Sequence, residues 1–154
     1  MSVFFFDSSA VAKKYVRETG TAWVINVFRP KSLNRVYIAE IALVEVISAL
    51  TRRHRGRTIR TADFTKVSNH FRRNFTANFF KIETNLSVIE QAAALAEQHA
   101  LRGYDAVQLA SAVNLHLRRQ KAGLPSLVFI SADNALNAAA QAEGLQIDNP
   151  NNHP

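Results

Sequence analysis

Val3-Phe4-Phe5-Phe6 is a continuous apolar run cut off by Asp7, the pattern of a short strand buried on both faces. Asp7-Ser8-Ser9 then supplies helix-capping chemistry for a helix over Ser8–Arg17. A second helix is predicted over Thr21–Phe28, stopped by Pro30, and a strand over Arg35–Ala39. Glu40–His54 is apolar almost all round and predicts a buried helix ending before Gly56. In Thr61–Phe75, Phe64, Val67, Phe71 and Phe75 recur at spacings of three and four, an amphipathic helix. Phe79–Glu83 reads as a strand. Ser87-Val88-Ile89-Glu90 matches a capping box opening a helix to Ala100. Tyr104–Lys121 is a further helix, Leu127–Ile130 a buried strand, Asp133–Glu143 a helix and Leu145–Ile147 a last short strand.

Strands alternate with helices throughout, and the five glycines fall between elements. The expectation is a three-layer α/β/α domain with a mostly parallel central sheet, spanning residues 1–150. Residues 151–154 are expected to be a polar tail, and Asn149–Pro154 to fray. The 154 residues are 47% hydrophobic, enough for one real core. There is no cysteine, so disulfides, thiolate metal sites and cysteine nucleophiles are excluded. The opening apolar run is too short for a signal peptide or a membrane span, and a cytoplasmic location without membrane contact is expected.

The formal charge of +7 and a pI near 10.3 suit a polyanionic partner. The cations cluster at Arg52-Arg53-His54-Arg55-Gly56-Arg57, Arg60, Arg72-Arg73 and Arg118-Arg119-Gln120-Lys121. Arg52, Arg53, Arg55 and Arg57 follow the helix around Glu45 and are candidates for guiding a nucleic-acid strand; the plainer reading is a solvated helix face.

Against this basic background, acids sit in apolar surroundings. Asp7 directly follows the first strand, where ligands bind in an open parallel sheet. Asp133 repeats the pattern of strand, acid, helix after Leu127–Ile130. Glu45 interrupts Ile41–Leu50, and Asp105 opens the small-residue run Ala106–Ala112. Each has an ordinary explanation: a helix cap for Asp7 and Asp133, an exposed stripe for Glu45, a helix-dipole partner for Asp105. Gathered by one fold, the four would repel by about 1 kcal/mol per pair at ~4 Å in water and about 4 kcal/mol near a protein surface. A divalent cation relieves that, and oxygen ligands select Mg²⁺ or Mn²⁺. On a basic domain such a site suggests phosphodiester hydrolysis.

These same residues carry a resemblance. Asp7-Ser8-Ser9-Ala10-Val11, the stretch Ile41–Leu50 around Glu45, Leu101-Arg102-Gly103-Tyr104-Asp105-Ala106-Val107-Gln108-Leu109-Ala110-Ser111-Ala112, and Phe129-Ile130-Ser131-Ala132-Asp133 with Ala139, Gly144-Leu145 and Pro150 resemble, in order, the motifs of PIN-domain ribonucleases of the VapC toxin type. The resemblance spans nearly the whole chain. It implies a Mg²⁺-dependent endoribonuclease whose catalytic and metal-binding residues are Asp7, Glu45, Asp105 and Asp133. Ser131 matches a position often held by serine or threonine that helps order water or a ligand. Some relatives carry a further acid after the last aspartate; the nearby residue here is the supporting amide Asn137. The resemblance also implies a homodimer, an RNA substrate and a cognate antitoxin partner.

Two other readings compete. A non-catalytic basic nucleic-acid-binding module explains the arginines but leaves the acids without a purpose. A phosphatase with Asp7 as nucleophile lacks the acid such enzymes often carry two residues on, where Ser9 stands. His54, His70, His99, His116 and His153 form no tight ligand pair and are taken as surface residues. Phe64, Phe71, Phe75, Phe79 and Phe80 are assigned to the core or a dimer interface.

Overall fold

The computed structural model of the chain describes residues 2–153; Met1 and Pro154, the outer ends of the predicted domain and tail, lie outside them. Strands β1 (Val3–Phe6), β2 (Arg35–Ala39), β3 (Phe80–Ile82), β4 (Val128–Ile130) and β5 (Gln146–Asp148) form one sheet in the order β3-β2-β1-β4-β5. All four pairings are parallel. The helices are α1 (Ser8–Ala12), α2 (Thr21–Val27), α3 (Ala42–Arg55), α4 (Thr61–Ala77), α5 (Leu86–His99), α6 (Gly103–Lys121) and α7 (Asn134–Ala142).

The pleat sorts the two cores. Along β1, Val3 and Phe5 pack with buried residues of α5, α6 and α7, while Phe6 packs with those of α1, α2, α3 and α4. Phe5 stacks on Phe129 across the β1–β4 pairing at 5.8 Å between centroids. α6 is buried over most of its central turns, and its small residues Ala106, Ala110, Ser111 and Ala112 allow close packing. The three-layer α/β/α expectation holds, and the sheet is wholly parallel. From β1 the chain winds outward to β2 and β3, then returns to the other side for β4 and β5. The switch point lies between the carboxyl ends of β1 and β4.

Several local expectations are corrected. The first helix stops at Ala12 rather than Arg17, because Lys13 turns its ammonium group onto Glu18 Oε2 (3.1 Å) and the Thr19 carbonyl (3.0 Å), and the following loop wraps around it. α5 is capped by Asn85, whose side chain accepts from the Val88 amide, and not by Ser87. The helix around Glu45 is not buried all round: Ala42, Val46 and Leu50 face the core while Val44 is 60% exposed. His116 is buried and not a surface residue. Arg119 is buried as well, its Nε donating to the Pro125 carbonyl, so the Arg118–Lys121 run is not a uniform basic face. Nor does the segment after β5 fray as far as His153: Pro150 and Asn149 are buried, and His153 stacks on Trp23 at 4.4 Å. Phe71 and Phe79 are core residues, Phe64 and Phe75 pack at its edge, and Phe80 is half exposed.

Candidate active site

Four segments deliver the four acids to one cleft of about 830 Å³. Asp7 comes from the end of β1, Glu45 from the first turn of α3, Asp105 from the first turn of α6, and Asp133 from the cap of α7. The cleft lies at the sheet's switch point, as the strand–acid–helix repeats predict.

Asp7 is the most heavily hydrogen-bonded of the four. It is buried, and both carboxylate oxygens are engaged. Oδ1 accepts from the Ala10 amide at 2.8 Å and the Ser9 hydroxyl at 2.7 Å, and Oδ2 accepts from the Ser131 hydroxyl at 2.8 Å. Ser131, fully buried, also accepts from the Asp133 amide at 3.0 Å, so one hydroxyl links the two strand-end acids. Ser9 accepts from the Ala132 amide at 2.9 Å and closes the same loop pair. Asn137 does not line the cleft; its Nδ2 donates to the Ser131 carbonyl at 2.8 Å and braces that loop from behind.

Glu45 is half-buried. Its Oε1 accepts from Ser8 Oγ at 2.9 Å and from Gln108 Nε2 at 2.6 Å. Asp105 is half-buried without a side-chain hydrogen bond of its own among the described residues. Asp133 is exposed and works as a helix cap, its Oδ1 accepting from the amides of Ala135 (2.8 Å) and Leu136 (3.0 Å). The capping explanation is therefore structurally correct for both Asp7 and Asp133, and it coexists with their facing the cleft.

Electrostatics tie the four together. Burial pushes the Asp7 carboxyl up from 3.8 to about 6, against the lowering hydrogen bonds from Ala10, Ser9 and Ser131, and the charge of Glu45 adds to the rise. Burial also raises Glu45, opposed by Gln108 and Ser8 and reinforced by Asp105. Asp105 is raised by burial and by Asp133, opposed by Arg102. Each acid thus feels the next one along the cleft. Among the described residues none of the four is ion-paired.

Cations line the same cleft. Lys13, Arg52, Arg53 and Arg102 line the cleft, with Glu18 held between Lys13 and Arg53. Arg55 and Arg57 lie outside it. The sequence singled out Arg52 and Arg53 with their neighbours. Lys13, Glu18, Ser9 and Gln108 it left without a role in the site, because their importance depends on contacts across the chain.

The donor set is entirely oxygen, which suits Mg²⁺ or Mn²⁺. Among the described residues no three acidic or imidazole groups converge tightly enough to grip an ion by themselves. That arrangement still fits Mg²⁺, which keeps several waters and is held by one or two carboxylates together with substrate phosphate.

No family profile matches the sequence. The chain is 29% identical over 147 residues to two Mycobacterium tuberculosis proteins, Ribonuclease VapC45 and Ribonuclease VapC49, covering 96% of this chain and 95% of each relative. In structure it resembles VapBC2 from Rickettsia felis bound to a promoter DNA fragment, with a TM-score of 0.61 at 9% identity, covering 96% of this chain and 98% of that one. It also resembles a toxin–antitoxin complex from Klebsiella pneumoniae, with a TM-score of 0.60 at 16% identity over 96% and 97% of the two chains. These solved structures share the fold. The resemblance drawn from the sequence motifs, to ribonucleases of the VapC type, holds along nearly the full chain.

Proposed function

We propose that this chain is a divalent-metal-dependent endoribonuclease acting as the toxin of a toxin–antitoxin pair. The observation that carries this reading is the convergence of four carboxylates, without cationic partners among the described residues, on one cleft of a basic domain. The VapC ribonuclease relatives support the nuclease class, and the fold shared with VapBC complexes supports an antitoxin partner. A homodimer belongs to the same reading.

Asp7, Glu45 and Asp105 would hold the ion jointly with its own waters and the substrate phosphate rather than as a closed three-carboxylate cage, and Asp133 would act through water. When bound, Mg²⁺ supplies charge neutralisation at the scissile phosphate and polarises water for attack. The chain's own residues do the rest. Ser9, Ser131 and the Ala10 amide fix both oxygens of Asp7. Ser8 and Gln108 fix one oxygen of Glu45, leaving Oε2 without a hydrogen-bond partner among the described residues. Arg52, Arg53 and Arg102, which line the same cleft, would give the phosphate chain cationic contacts beside the acids. An antitoxin side chain such as arginine, entering between the carboxylates, would occupy the same positions by charge-assisted hydrogen bonds.

The non-catalytic binding module is disfavoured by the acids themselves, which would repel a phosphate chain unless a cation intervened. The decisive experiment is RNA cleavage by the purified chain in Mg²⁺, in EDTA, and after Mg²⁺ is restored. Cleavage should stop and return. Asp7→Asn, Glu45→Gln and Asp105→Asn should each slow it by roughly 10²–10⁴, about 3–5 kcal/mol of barrier, and Asp133→Asn by less. Cleavage undiminished in EDTA, or four folded variants cutting at the wild-type rate, would refute the assignment.

A further inference from the structure

Gln108 is the one buried polar side chain that reaches into the acid cluster from the core of α6. It is 1% exposed. Its Nε2 donates to Ser8 Oγ at 2.8 Å and to Glu45 Oε1 at 2.6 Å, while its Oε1 is buried with no hydrogen-bond partner. Here the donor end is spent wholly on the site and the acceptor end is left without a partner. Turning the amide over would place its oxygen against Glu45 Oε1, which already accepts from Ser8, so the observed orientation is the one that gives this oxygen a second donor.

The placement in the fold matters equally. Gln108 lies three residues beyond Asp105 on α6, Ser8 is the residue after Asp7, and Glu45 is on α3. The triangle Gln108–Ser8–Glu45 therefore joins the segments that carry three of the four acids, one from each layer and one from the sheet edge. We infer that Gln108 is a positioning residue: with Ser8 it clamps Glu45 Oε1, presents Oε2 to the cleft, and sets the spacing of Glu45 from Asp7 and Asp105. This rests on the nuclease reading of the same site.

The test uses the full chain and two readouts, Mn²⁺ affinity by calorimetry and the separate kcat and KM for RNA. Gln108→Met keeps the length of the side chain and removes both amide ends; Ser8→Ala removes the second donor without touching α6. Gln108→Met should keep its fold by circular dichroism, weaken Mn²⁺ about tenfold and lower kcat at least tenfold, with KM within about twofold. Ser8→Ala should shift both quantities in the same direction by a smaller factor. A purely structural glutamine predicts instead a lowered melting temperature with Mn²⁺ affinity and kcat unchanged below it. If Gln108→Met does not fold, Ser8→Ala alone decides. A folded Gln108→Met, or failing that Ser8→Ala, with wild-type Mn²⁺ affinity and kcat overturns the inference. Wild-type protein that neither binds Mn²⁺ nor cleaves RNA overturns the underlying function instead, so the two failures are distinct.

Discussion

At the scale of single residues, Asp7 shows how one side chain serves folding and chemistry at opposing costs. As a helix cap it stabilises; as a buried carboxylate among other carboxylates it does not. Its folded value of about 6 lies above the ordinary 3.8, so between about pH 4 and 6 the native state binds more protons than the unfolded one. Its contribution is therefore fully present below about pH 4 and lost as pH rises through 6. A shift of that size corresponds to about 3 kcal/mol. Asparagine caps about as well as aspartate and carries no charge. In metal-free protein, the stability of Asp7→Asn relative to wild type should rise between pH 4 and 7 by up to about 3 kcal/mol, read from denaturant melts at each pH. A difference that stays flat across that window would mean Asp7 is not held in a dry, repulsive site. The acid itself was legible in the sequence, since a carboxylate directly after Val3-Phe4-Phe5-Phe6 stands out. Its partner Ser131 was legible only through motif resemblance. Gln108 was not legible as a site residue: in a helix of small and apolar residues it looks like any polar position, and only the fold shows its amide facing Glu45.

At the scale of elements, apolar runs, helical spacing, capping residues and the Gly and Pro breaks together placed the five strands and seven α-helices of the described residues, while the short 3-10 turns at Pro30–Ser32 and Pro150–Asn152 went unread. These signals misjudged ends where tertiary contacts override local preference. Lys13 folding back on Glu18 shortens α1, and Asn85 takes the cap that Ser87 was expected to provide. The largest departure is the C-terminal segment, whose polar composition suggested fraying but whose Pro150 packs against Gly20. Gly20 has φ +85, and a Cβ there would stand 2.2 Å from the Pro150 carbonyl oxygen. Gly144 has φ +84, but a Cβ added there would meet nothing within 4 Å, so it shares the backbone strain without the clash. Both Gly20→Ala and Gly144→Ala should lose about 1–2 kcal/mol from the left-handed backbone. Gly20→Ala alone should also displace Pro150 and unstack His153 from Trp23. Trp23 is the chain's one tryptophan, so native-state fluorescence reports that event directly. Equal fluorescence changes in both variants would show that the tail is not anchored through Gly20.

At the scale of the whole molecule, a domain of net charge +7 holds its acids in one cleft that cations also line. Those cations let a polyanion approach a site that would otherwise repel it, and the cleft divides the arginines after Glu45 into two groups that the sequence treated as one. Arg52 and Arg53 line the cleft. Arg52 is steadied by Ser48 Oγ at 2.8 Å, and Arg53 is held by Glu18, which also holds the buried Lys13. Arg55 and Arg57 are exposed beyond it. Binding of single-stranded RNA should weaken with salt in proportion to the phosphates neutralised, with a slope of about 0.7 log unit per contact. Neutralising Arg52 and Arg53 together in the cleavage-deficient Asp7→Asn background should flatten that slope by about one to two contacts. Neutralising Arg55 and Arg57 should flatten it less, because charges more than about 8 Å from the strand are screened at physiological ionic strength. Titrations of a short unstructured RNA at several salt concentrations separate these cases. Equal loss from both pairs would mean that the strand follows the end of α3 rather than entering the cleft. No loss from either would mean that these arginines serve the protein's solubility and that other exposed cations, Arg102 among them, carry the phosphate chain.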